Sequence, residues 1–273
     1  MKKMDSATLL GVITGFGCVI WGCMGGSGIS ALKIFYDMPS IILTIGGSIC
    51  ALLINYPMKE FIKLGVIIKQ SFFENIIESK TIISKFTELS KKARKDGLLS
   101  LEDELNELDD YFMKKGLQMV VDGIEPETIR EIMELEIGEM EGRHTTGIDM
   151  LKAWGGYAPA FGMIGTLIGL IRMLANLSDS SKIASGMAVA MITTFYGSVV
   201  ANLICNPMAA KLSSKSLKES SIREMMLEGI LSIQSGVNPR IMEDKLICYL
   251  SPKERLEYIN KQAANLEGAV ENG

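Results

Sequence analysis

Residues 154–207 read WGGYAPAFGMIGTLIGLIRML (Trp154–Leu174), ANLSDSSK (175–182) and IASGMAVAMITTFYGSVVANLICNP (183–207). Each apolar run is long enough to cross about 30 Å of hydrocarbon at about 1.5 Å per residue. A short polar link joins them, so they predict a helical hairpin across a bilayer. Their interiors hold no Asp and no Glu, yet they carry Pro159, Thr166, Thr193, Thr194 and Pro207. A hairpin that only anchors a chain needs none of these. They predict an ion path whose titratable group comes from another protein.

The rest of the chain extends this pattern. Of its 273 residues 48% are hydrophobic, and the mean hydropathy is +0.24, more apolar than a soluble domain of this length. The net charge of −4 argues against a general nucleic-acid binder. Charges avoid four segments, at roughly 7–26, 39–56, 154–175 and 184–207. The first, after MKKMDS, has the look of a signal peptide, but a second apolar run follows closely and makes a hairpin like the later one. Lys2 and Lys3 precede the first span, Lys59, Lys63 and Lys69 follow the second, and Lys211, Lys215 and Lys218 follow the fourth. The two short links hold only Lys33 and Lys182. Both termini and the long middle region are therefore expected in the cytoplasm.

The fold expected is an all-α membrane protein: a hairpin over 1–56, a helical cytoplasmic domain over 57–153, a second hairpin over 154–208 and cytoplasmic helices over 209–273. In the middle region Ile67, Ile68, Ile76, Ile77, Ile82, Ile83 and Phe86 fit one helical stripe. Gly97 breaks a helix, and Ser100 with Asp103 resembles the N-cap of the next. Leu101, Leu105 and Leu108 share a face opposite acidic residues. Pro126, Pro239 and Pro252 fit the first turns of helices. A helix from Ala209 to about Gln234 continues the fourth span. No segment alternates convincingly as a strand.

Gly11/Gly15, Gly22/Gly26 and Gly165/Gly169 have the spacing that lets membrane helices approach closely. No Lys-Ser/Thr follows them, as a phosphate loop would require. Five scattered cysteines and one histidine, His144, offer no disulfide framework or zinc spacing. Arg172 fits a side chain snorkelling to the outer interface. Thr166 lies roughly 18 Å along its helix from Trp154, and Thr194 roughly 19 Å from Pro207 on the antiparallel neighbour. The hydroxyls therefore fall near one depth, although each can also bond a carbonyl of its own helix. Pro159 and Pro207 free a backbone carbonyl and favour a kink or hinge. The basic run Lys91, Lys92, Arg94, Lys95, followed by Glu102 and Glu104, reads either as a solvated face or as a dock for a charged protein.

With RKDGLLSLE (Arg94–Glu102), APAFGMIGTLIGL (Ala158–Leu170) and MAVAMITTFYGSVVANLICNP (Met187–Pro207), the chain resembles the A subunits of bacterial flagellar stators, the MotA/PomA family. The four-span layout matches along nearly the whole chain. The resemblance implies an ion-driven torque generator of the bacterial inner membrane, not an enzyme, with no catalytic or metal-binding residues and no covalent cofactor. It implies a pentameric ring of this chain around a dimer of a B-type (MotB/PomB-like) subunit, embedded in lipid. Arg94 and Glu102 match positions that contact the rotor protein FliG. Pro159 and Pro207 match prolines that couple ion passage to motion, and Thr194 matches the hydroxyl beside the partner's ion-binding Asp. Thr166 and Thr193 match threonines typical of sodium-type members, which tips the choice between H+ and Na+ slightly to sodium. An ExbB/TolQ-type energiser of outer-membrane transport, or a membrane scaffold without an ion path, are the alternatives.

Overall fold

The computed structural model describes residues 2–25, 28–75 and 78–271, with side chains except at 2, 3, 74, 75 and 262–271. The main helices among them are α1 (Ser6–Met24), α2 (Met38–Asn55), α3 (Leu64–Ser71), α4 (Ser79–Asp96), α5 (Tyr111–Val121), α6 (Pro126–Leu174), α7 (Ser180–Gln234), α8 (Pro239–Ile247) and α9 (Pro252–Glu271). Four of them, α1, α2, α6 and α7, are long and apolar enough to cross a membrane. The chain forms two compact units, one from Met1–Ile76 with Arg143–Lys215 and the other from Ile77–Gly142 with Ser216–Gly273. Helices α6 and α7 each contribute residues to both.

Local chemistry starts most of the helices. Asp5, Asp37, Asp110, Asp179 and Asn238 each accept a hydrogen bond from a backbone N–H in the first turn of the helix that follows. Pro239 and Pro252 open α8 and α9, and Pro126 opens α6, as their spacing predicts. Ser251 and Glu254 form a reciprocal capping box at α9, with bonds of 3.1 and 3.4 Å. Gly97 ends α4 at φ +86, a conformation that other residues rarely adopt.

Three local expectations are corrected. Ser100 is not an N-cap: it lies in the 3-10 turn Leu98–Leu101, and its hydroxyl donates back to the Gly97 carbonyl at 2.6 Å. The isoleucine stripe is not one helix. Ile67 and Ile68 belong to α3 and pack in the first unit, Ile82 and Ile83 belong to α4 in the second, and Ile76 and Ile77 lie outside the described residues. Lastly, two short strands occur, β1 (Lys2–Met4) and β2 (Phe73–Asn75), paired antiparallel with Lys3 opposite Glu74. Three residues are too few to show alternation, and the pairing joins segments seventy residues apart in sequence.

The second unit has an ordinary apolar core. Phe86, Leu101, Phe112, Leu117, Met133, Met225 and Ile230 are at most 2% exposed. Gly229 lies against the Phe86 ring, where a Cβ would come within 2.8 Å. Leu101 and Leu105 are buried and Glu102 is exposed, as the facing of that segment predicts.

In the first unit the seam between α6 and α7 is built from glycine. A Cβ at Gly169 would lie 2.5 Å from the Gly186 carbonyl oxygen, and one at Gly186 would lie 2.8 Å from that of Gly169. A Cβ at Gly197 would lie 2.6 Å from the Ala158 carbonyl oxygen, and the space beside Gly165 is filled by the Thr193 side chain. Of the glycine pairs in the sequence, Gly165/Gly169 thus mediates close packing. Gly15 packs on Leu203, Gly11 faces open space, and Gly26 lies outside the described residues. Since the obstacle at Gly169 is backbone, it cannot rotate away. Gly169→Val is expected to prevent the hairpin from closing, read as loss of the folded protein from the membrane fraction, whereas Gly11→Val leaves its amount unchanged.

Candidate functional site: the hydroxyl-bearing hairpin

The structure separates the three threonines. Thr193 is fully buried against Gly165, and its hydroxyl donates to the carbonyls of Val189 (3.0 Å) and Ala190 (3.1 Å). Thr194 is exposed, its hydroxyl donating to Ala190 at 3.2 Å. Thr166 is half-buried and donates to Met163 at 2.6 Å. Gly162 meets the backbone of Thr193 and Thr194, and Gly165 meets the Thr193 side chain, so residues 162–166 lie level with 193–194. Each hydroxyl spends its proton on its own helix and is left with lone pairs. A lone pair facing outward accepts from water or ligates a cation, but it does not donate to a carboxylate. Back-bonding alone accounts for Thr193, because nothing outside the fold reaches it. Thr194 makes the same kind of bond but stands at an exposed position on a span of membrane length, where a partner can reach it.

Behind the threonines, α2 supplies a polar stripe that sequence reasoning missed. Ser40, Thr44 and Ser48 recur every fourth residue, all at most 1% exposed. Thr44 donates to the Thr193 carbonyl at 3.4 Å, and the Trp154 indole donates to Ser48 at 3.1 Å. These bonds tie the second span to the third and fourth. The fourfold spacing was the available signal.

The two prolines meet the seam at different places. Pro159 lies inside α6 without breaking it, and its missing N–H leaves the Gly155 carbonyl without a helical donor. A Cβ at Gly197 would come within 3.0 Å of the Pro159 Cα, so the two backbones touch there. Pro207 follows a π-helical stretch, Val200–Cys205, in which α7 is wound wider than an α-helix. A second π stretch, Ile42–Gly46, lies in α2 and contains Thr44. Such turns mark positions where the helix can change pitch.

In the other unit, Arg94 and Glu102 are exposed and form no ion pair among the described residues. Their neighbour Glu104 is engaged instead, bonded by Lys92 at 2.8 Å and by Lys85 at 3.2 Å. Those hydrogen bonds, that of Lys92 first, hold the Glu104 carboxyl below the usual carboxylate range. Arg172 is exposed, and His144 is half-buried. Among the described residues no three His, Cys, Asp or Glu side chains group as metal ligands.

Residues 104–225 match the MotA/TolQ/ExbB proton channel family. Motility protein A of Borreliella burgdorferi is 44% identical over 92% of this chain and 96% of its own. The chemotaxis protein PomA of Vibrio alginolyticus is 39% identical over 92% of this chain and 98% of its own. The fold is similar to that in the flagellar MotAB stator complex from Bacillus subtilis, with a TM-score of 0.85 and 36% identity, covering 93% of this chain and 99% of that one. Identity of 44% over 92% of the chain, joined to the shared fold of a MotAB stator complex, makes the chain a member of the MotA/TolQ/ExbB proton channel family.

Proposed function

We propose that the chain is the A-type subunit of a flagellar stator, a multi-pass protein of the bacterial inner membrane that joins a B-type partner and converts ion flow into torque. The observation that supports this most is the exposed Thr194 at the level of the half-buried Thr166, on spans that carry no carboxylate of their own. The similarity to Motility protein A and to a MotAB stator complex supports both the motor role and the B-type partner. The protein acts as a channel subunit and not as an enzyme. The working assembly is a pentameric ring of A subunits around a B dimer.

In this mechanism the partner supplies an Asp near the middle of the bilayer. A bare charge there costs about 2.5–3.5 kcal/mol on insertion scales. A cation held between that carboxylate and the lone pairs of Thr194 and Thr166 removes most of the cost, and Thr193 fixes the wall from behind. Each arrival and release of the ion changes the charge at the contact between ring and core. Pro159 and Pro207, with the wide turn before Pro207, let the helices follow that change. The excess of Lys and Arg beside the inner ends of the spans supports a cytoplasmic position for the region 57–153 and the segment 209–273. There the exposed Arg94 and Glu102 meet charges on the rotor protein FliG. Sodium is the ion favoured, because oxygen lone pairs suit a hard cation.

Thr194→Val keeps the shape and removes the oxygen. It is expected to lower ion influx at least about tenfold, the worth of one hydrogen bond to a charged group, and to stop swimming with assembly intact. A scaffold without an ion path predicts no effect. Arg94→Glu is expected to abolish swimming while influx through the unplugged complex continues. An ExbB/TolQ-type energiser predicts normal swimming in that variant. Swimming speed at fixed pH is expected to rise with external sodium, and sodium-independent speed identifies protons as the ion.

A further inference from the structure

Besides the buried polar stripe on α2, the fourth span carries a polar line of its own. Thr194, Ser198, Asn202 and Asn206 recur every fourth residue, and all four are exposed. Together they cover about 18 Å of helix, roughly the inner half of a bilayer. The contrast with α2 is direct. Ser40, Thr44 and Ser48 have the same spacing and comparable polarity, yet the fold buries all three.

An α-helix would not keep such a line straight. With 3.6 residues per turn, each fourth residue drifts about 40° around the axis. The π stretch Val200–Cys205 contains Asn202 and holds more residues per turn, which offsets the drift just where the line passes towards Asn206. Asn202 Nδ2 donates to the Ser198 carbonyl at 3.1 Å, which ties successive members together. Polar side chains at membrane depth face a bundle interior or water and seldom face lipid. One π stretch therefore sits at the place where it keeps a polar line on one face.

We propose that Ser198, Asn202 and Asn206 carry the ion from the Thr194 site to the cytoplasmic end of the fourth span, as a hydrated inner half of the path. This rests on the ion-path role proposed for Thr194. The Ser198 hydroxyl and the Asn202 amide follow Thr194 at intervals of about 6 Å, suited to a water chain that passes a proton or rehydrates a departing sodium ion, and Asn206 ends the line with its Oδ1 against Gly155 of α6. The three residues are positioning residues for release, and none of them is the ion-binding group.

The test uses the full complex with its B-type partner, unplugged, in cells whose cytoplasmic pH and sodium are read by fluorescent indicators. Asn202→Leu is expected to lower influx about tenfold or more, and Asn202→Gln to retain at least about half of it. Asn202→Asp guards against misfolding of the leucine variant. In a hydrated path the aspartate is accommodated, the complex accumulates normally, and influx becomes dependent on cytoplasmic pH. On a lipid-facing surface it prevents accumulation, which overturns the proposal. Influx through Asn202→Leu equal to that of the parent also overturns it. If Thr194→Val blocks influx while Asn202→Leu conducts normally, only the inner path fails. If both variants conduct normally, the Thr194 site fails with it.

Discussion

Close contact between the backbones of the third and fourth spans is the constraint on which the rest depends. With Gly169 and Gly186 face to face and Gly197 against Ala158, nothing larger than a hydrogen atom fits at several points of the seam. Without a hydrophobic drive inside lipid, such close approach is what van der Waals packing offers. It has a second effect. The space between the helices is used up, so any polar group that must meet an ion has to stand on an outer face. Thr194 stands there, and Thr193 is enclosed. The hairpin is thus closed as a fold, and the ion site proposed for it lies on its outer face.

The charged segment of the other unit shows a similar division between groups used internally and groups left over. Glu104 is spent on Lys85 and Lys92, and its carboxyl is held ionised by them. Arg94 and Glu102 flank that cluster with no ion pair among the described residues. An exposed ion pair adds little to stability, so leaving these two unpaired costs the fold almost nothing. What they retain is the capacity to steer and orient a charged partner.

Much of the architecture was legible in the sequence because it follows from length and periodicity. Four apolar runs predicted the four long helices, and Pro126, Pro239, Pro252 and Gly97 marked helix ends where the structure has them. Features set by distant partners were not legible. The β1–β2 pair joins residues 2–4 to 73–75, and neither strand announces itself alone. The split of the isoleucine stripe between α3 and α4 depends on which unit each helix packs into. At the candidate site, the sequence placed three hydroxyls near one depth but could not say which face each occupies. Burial distinguished Thr193 from Thr194, although they are adjacent in sequence. The α2 stripe at Ser40, Thr44 and Ser48 was readable from its spacing, but only Thr44 meeting the Thr193 carbonyl shows what it supports.

The central claim is that the hairpin is half of a site and that a helix of the B-type partner lies against Thr194. Cysteine cross-linking in an otherwise cysteine-free complex tests this most directly, using Thr194→Cys, the buried Thr193→Cys and the exposed first-span Ile13→Cys. Cross-links are expected from position 194 to the partner's membrane helix and none from 193 or 13. Equal linkage at 194 and 13, or none at 194 in an assembled complex, contradicts it.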